Sequence, residues 1–103
     1  MKILLLEDDF VLNEIIEEHL QEKGYIVTTA FDGEKAQELI YSQTFDLLLL
    51  DVNVPNLNGF ELLSDIRSKE IRTPAIYITS ANMLEDMEKG FKSGCDDYIK
   101  KPF

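Results

Sequence analysis

The chain has 103 residues, 45% hydrophobic and 29% charged, which fits one globular domain and excludes a disordered or fibrous chain. Twenty acidic residues against ten basic ones give a formal net charge of −10, and a surface of that sign repels phosphate backbones, so no direct nucleic-acid binding by this domain is expected. One cysteine allows no internal disulfide, and the apolar N-terminal run is far too short for a signal peptide or a membrane span; a soluble, cytoplasmic protein that does not contact the membrane is expected.

Residues 3–6 are Ile-Leu-Leu-Leu and predict a strand buried on both faces. Glu7, Asp8 and Asp9 follow it. Leu12, Ile15, Ile16 and Leu20 then recur at helical spacing, with Glu14, Glu17, Glu18 and Gln21 opposite, and Gly24 sits where a C-cap glycine belongs. A second strand is expected over 25–30 and a second helix around Ala36, Leu39 and Ile40. Residues 47–50 are four leucines without polar alternation, again a strand covered on both faces, and Asp51 ends it. Gly59 opens a third helix marked by Phe60, Leu63 and Ile66. A fourth strand over 75–79 ends in Thr79 and Ser80, a fourth helix carries Leu84, Met87 and Phe91 and closes at Gly94, and a weaker fifth strand over 97–100 ends in Lys100 and Lys101. Strands alternating with helices through short turns predict right-handed crossovers and a parallel sheet. A helix after the fifth strand would complete a doubly wound sheet, and the chain stops at Phe103 without one.

Ligands of open parallel sheets sit at the carboxyl ends of the strands. If strands 1, 3, 4 and 5 are neighbours, Glu7, Asp8, Asp51, the Thr79 hydroxyl and the Lys101 ammonium share one rim. Three carboxylates in one small site require protonation or a bound cation. Oxygen donors with room for water suit Mg²⁺, which commonly bridges to phosphate. A hydroxyl, an ammonium and a metal can each hold one equatorial oxygen of a phosphoryl group, and an aspartate can be its acceptor, forming an acyl phosphate. Each residue alone has a plainer explanation: acids after a strand cap helices, and a lysine before a proline is a solvated surface group. The four strand ends together carry the argument.

The segments Leu4-Leu5-Leu6-Glu7-Asp8-Asp9, Leu47-Leu48-Leu49-Leu50-Asp51-Val52-Asn53-Val54-Pro55-Asn56-Leu57-Asn58-Gly59, Ile78-Thr79-Ser80-Ala81 and Gly94-Cys95-Asp96-Asp97-Tyr98-Ile99-Lys100-Lys101-Pro102-Phe103 resemble the receiver domains of two-component response regulators, over the whole of residues 1–103. The resemblance implies an α/β, flavodoxin-like, doubly wound parallel five-stranded sheet of order 2-1-3-4-5, here with the final helix missing. It implies Asp51 as phosphoacceptor, Glu7 and Asp8 as the acidic pair, with Asp8 binding Mg²⁺ directly and Glu7 partly through water, and the Asn53 carbonyl completing the metal shell. Thr79 matches the switch hydroxyl, Tyr98 the switch aromatic and Lys101 the phosphate-facing lysine. Pro102 matches a proline whose preceding peptide is usually cis. The implied partners are a sensor histidine kinase or small phosphodonor and a C-terminal effector domain outside this chain, since the last segment resembles receivers that precede winged-helix DNA-binding domains. Such a domain catalyses only its own phosphorylation and dephosphorylation.

Within the family it resembles, Ser80 stands where many members have alanine and Asn53 and Ala81 match positions that tune phosphoryl lifetime, while Cys95 replaces the small residue usual in its turn and reads as a packed small side chain. His19 reads as a boundary residue of the first helix. A haloacid-dehalogenase-type phosphatase would carry Asp-x-Asp after the first strand with the second Asp as general acid, whereas here the candidate nucleophile Asp51 ends the third strand and Asn53 stands where that acid would be. An FMN binder would carry a hydroxyl- and glycine-rich loop where Glu7-Asp8-Asp9 stands. A receiver-like interaction module independent of phosphorylation is the alternative. The absent fifth helix leaves apolar side chains of strands three to five facing water, as expected of a shortened chain or of an oligomer that covers the gap.

Overall fold

Two four-residue apolar runs dictate the centre of the molecule, because side chains of a strand point alternately to opposite faces and both faces here must be covered. The structure, a computed structural model, describes residues 1–79 and 96–100, with Thr79 and Lys100 described by their backbone alone. The elements are β1 (Lys2–Leu6), α1 (Phe10–Glu22), β2 (Ile26–Ala30), α2 (Gly33–Ser42), β3 (Leu47–Asp51), α3 (Gly59–Ser68), β4 (Ala75–Thr79) and β5 (Asp97–Lys100). All strand pairs are parallel and the order is β2-β1-β3-β4-β5, as expected. The fourth helix expected around Leu84, Met87 and Phe91 lies outside the described residues.

The alternation along β1 divides the core. Leu4 and Leu6, with Leu48, Leu50 and Tyr77, pack under α2 and α3 through Ala36, Ile40, Leu62, Leu63 and Ile66. Ile3 and Leu5, with Leu49 and Ile78, face α1 through Ile16, Leu12 and Leu20. Register then sets the rim: Leu6 lies beside Leu50, Asp51 beside Ile78, and Thr79 beside Lys100.

Helix ends follow local chemistry. Gly24 adopts φ +91, and its N–H bonds Gln21 O at 2.9 Å while that of Tyr25 bonds Leu20 O at 3.1 Å, a Schellman stop that shortens β2 to begin at Ile26. Asn58 and Glu61 form a reciprocal capping box at the start of α3.

One helical position departs from the expected face. Ile15 was placed by periodicity on the inward side of α1, yet it is 46% exposed, while Asn13 is 2% exposed. The reason lies in a groove of about 580 Å³ between α1 and β5, whose lining includes Ile15, Leu49, Ile78 and Ile99. Water-facing apolar side chains were expected along strands three to five. Ile99 is 43% exposed, whereas Leu49 and Ile78 stay buried. His19, at the same groove, is exposed.

Candidate metal centre

The first half of the site is the turn from β1 to α1. Glu7 continues the ladder, its N–H donating to Ala30 O at 3.1 Å. Its carbonyl accepts the Asn13 side-chain amide at 3.0 Å, and its Oε2 accepts the Asp9 N–H at 3.0 Å. Glu7 is fully buried and Asp8 is exposed. Asp9 is the N-cap of α1, with extended backbone, and its Oδ1 accepts the Val11 and Leu12 N–H groups at 3.0 and 3.1 Å. The run of three acids therefore divides: Asp9 caps the helix, and Glu7 and Asp8 remain for the rim.

The second half is the end of β3. Asp51 is its last residue and is buried at 4% exposure. Its Oδ1 accepts the Asn53 N–H at 3.2 Å, which fixes the rotation of the carboxylate. The following loop is pinned from two sides. The Gly59 N–H donates to Val52 O at 2.9 Å, and a Cβ at Gly59 would stand 2.6 Å from Asp51 O, so only glycine fits. The Gly33 N–H donates to Pro55 O at 3.1 Å, and the Asn56 side chain donates to Asp32 Oδ2 at 3.2 Å.

Carboxylate oxygens of Glu7, Asp8 and Asp51 all lie within 4.8 Å of one another. Two of the three residues are buried, where water screens their repulsion least. The donor set is entirely hard oxygen and one side opens to solvent, which fits a small divalent cation that keeps part of its water shell. Of the other expected site residues, Asn53 presents its N–H to Asp51, and Tyr98 is half-buried against the larger core cluster. Thr79 closes β4 beside Lys100, by backbone register. The Thr79 side chain, Ser80, Ala81, Cys95, Lys101 and Pro102 lie outside the described residues. Asn13 was missed by sequence reasoning. The available signal was its place three residues before the buried Ile16, on the same helix face.

The family model of the response regulator receiver domain matches residues 3–103. The chain belongs to the response regulator receiver family. Over 103 residues this receiver is 45% identical to the transcriptional regulatory protein CrdR of Helicobacter pylori, covering 99% of the receiver and 48% of that protein. It is 40% identical over 103 residues to the transcriptional regulatory protein RprY of Bacteroides fragilis, covering 100% and 44%. The receiver thus spans about half the length of the curated relatives it matches. Among solved structures, the receiver domain of the Francisella response regulator 1452 superposes with a TM-score of 0.94 at 37% identity, covering 99% of this chain and 84% of that one. The receiver domain of the sensor histidine kinase PA1611 from Pseudomonas aeruginosa, solved with a magnesium ion coordinated in its active site cleft, has a TM-score of 0.91 at 36% identity, covering 99% and 85%. Among the described residues no helix is long and apolar enough to cross a membrane.

Proposed function

We propose that this receiver accepts a phosphoryl group on Asp51 from a sensor histidine kinase or a small phosphodonor, in a Mg²⁺-dependent reaction that switches its partner-binding surface. The observation that carries this reading is the convergence of the Glu7, Asp8 and Asp51 oxygens within 4.8 Å at the ends of two adjacent strands. A relative, TrrA from Thermotoga maritima, was solved in complex with Mg(2+)-BeF, and it superposes with a TM-score of 0.88 at 31% identity.

In this reading an Asp51 carboxylate oxygen attacks phosphorus. The new O–P bond forms as the donor's P–N or P–O bond breaks, and the bonding pair leaves with the donor. The Asn53 N–H holds the carboxylate at the attacking angle. Asp8, exposed, would hold the ion directly. Glu7 acts partly through water because its Oε2 already accepts the Asp9 N–H. The Asn53 carbonyl would be a further ligand, and the ion, when bound, would supply positive charge to the phosphoryl oxygens. By the receiver motif, Thr79 and Lys101 would hold the remaining oxygens, Tyr98 would be the aromatic that responds to Thr79, and Pro102 would be the motif's proline after Lys101. Catalysis is confined to the domain's own phosphorylation and dephosphorylation, in the cytoplasm, with output through a C-terminal effector domain. The groove beside β5 is covered by self-association where no other segment fills it.

The deciding measurement is intact mass after incubation with a phosphodonor and Mg²⁺. One labile phosphoryl group is expected on the parent, and none without Mg²⁺ or in Asp51→Asn. An unmodified parent would overturn the reading in favour of an interaction module independent of phosphorylation.

A further inference from the structure

We infer that Asn13 is a positioning residue for the divalent-cation site, holding the β1–α1 turn in the register that aims Glu7 and Asp8 at Asp51. The inference rests on the metal-dependent reading above. Asn13 is buried on the inward face of α1, where the helical pattern otherwise places apolar side chains. Asparagine is a poor choice for a helix interior, because its side chain competes for backbone groups. Here the side chain has one such group to hold: its Nδ2 donates to Glu7 O at 3.0 Å in buried surroundings.

The backbone of Asn13 adds a second hold. Its N–H donates to Asp9 O at 2.8 Å. One residue therefore grips the carbonyls on both sides of Asp8, the more exposed of the three acids. Any helix would make the backbone bond. The side-chain bond is particular to asparagine at this position, and it acts where β1 has just left the ladder. The Glu7 peptide is then fixed from both ends, by Ala30 O on its N–H and by Asn13 on its carbonyl.

The electrostatics explain why a neutral donor serves here. Glu7, Asp8 and Asp51 carry like charges when ionised, so the turn that presents them needs holding. A lysine or arginine in place of Asn13 would hold the turn by charge and compete with the cation. An amide holds the carbonyl without adding charge to the site. Groups that orient metal ligands from behind typically contribute about 10–100-fold to affinity.

The test compares the parent with Asn13→Leu, which keeps the branched shape in a larger, apolar side chain and removes the donor, and Asn13→Ser, which is smaller and polar. Mg²⁺ affinity is read by titration calorimetry, folding by circular dichroism in EDTA, and phosphorylation rate as a function of Mg²⁺. The expected result is folded variants whose Mg²⁺ dissociation constant rises about tenfold or more, with phosphorylation slowed at limiting Mg²⁺ and recovered at saturating Mg²⁺. A dissociation constant within about twofold of the parent would overturn the inference, whatever happens to thermal stability. So would loss of the folded state in both variants, since Asn13 would then serve packing. A parent that binds no Mg²⁺ would instead reject the reading of the site itself.

Discussion

The fold brings a buried Glu7 and a nearly buried Asp51 within 4.8 Å of the exposed Asp8, and like charges at that range repel one another. Removing one like charge from the cluster is therefore expected to raise the stability of the metal-free protein. Replacing Asp8 with Asn keeps the shape and removes one like charge. In EDTA, Asp8→Asn should be more stable than the parent by about 1 kcal/mol, the size of one such charge interaction across a partly solvated site. Mg²⁺ should reverse the order. At a hundredfold excess over its dissociation constant a ligand stabilises by about 2.7 kcal/mol, and the variant should lose most of that gain. Thermal melts of both proteins in EDTA and in Mg²⁺ check this. A variant less stable than the parent in EDTA would mean that Asp8 supports the fold and not the site.

Among the elements, what was legible depended on whether a single residue type signals the structure. The leucines of β3 and the glycine at 24 were legible because burial on both faces and a left-handed C-cap each demand a particular chemistry. Glu7, Asp8 and Asp51 were legible because acids at strand ends converge once the strand order is known. Asn13 was not, since periodicity scores apolar residues and overlooks a polar one whose partner is a backbone carbonyl. The end of α3 was not legible either. It repeats the Schellman stop, with Glu70 N–H to Arg67 O at 3.0 Å and Ile71 N–H to Ile66 O at 3.1 Å, but it places Glu70 at φ 63. Glu70→Gly should stabilise by about 0.5–1 kcal/mol, because the left-handed penalty outweighs glycine's added freedom in the unfolded chain. Urea unfolding reads the sign, and a loss would refute the argument. Between α2 and α3, the Tyr41 hydroxyl and the Gln37 amide donate to Asp65 Oδ2. The Tyr41 hydrogen bond holds the Asp65 carboxyl below its ordinary range, and the same bond raises the Tyr41 phenol. Asp65's contribution is thus present above the ordinary carboxylate range and fades as pH falls through its lowered value. Tyr41's is present below the ordinary phenol range and is lost as pH rises through its raised value. Tyr41→Phe should flatten both ends of the stability–pH curve, modestly because the pair is exposed; an unchanged curve would show that the clasp contributes nothing.

For the whole molecule, the described residues cover the two faces of the sheet unequally. One face carries α2 and α3, while among the described helices α1 alone packs on the other. The groove it leaves, about 580 Å³, runs between Ile15 and Ile99, both more than two-fifths exposed. Exposed apolar surface favours association, but a net charge of −10 on every copy opposes it. The two terms differ in their response to salt. Screening shortens the Debye length from about 30 Å at 0.01 M to about 3 Å at 1 M, whereas apolar burial is not weakened. Self-association through this face should therefore grow with NaCl. Light scattering should show the average mass of the parent rising as salt increases. In the Ile15→Ser, Ile99→Ser double variant the rise should disappear while the stability of the monomer changes little, because both side chains are already largely in water. Dye binding to apolar surface should fall in the same variant. A parent that stays monomeric at every salt concentration would show that charge is not what keeps copies apart, and that the groove by itself is too small an apolar surface to hold a second chain.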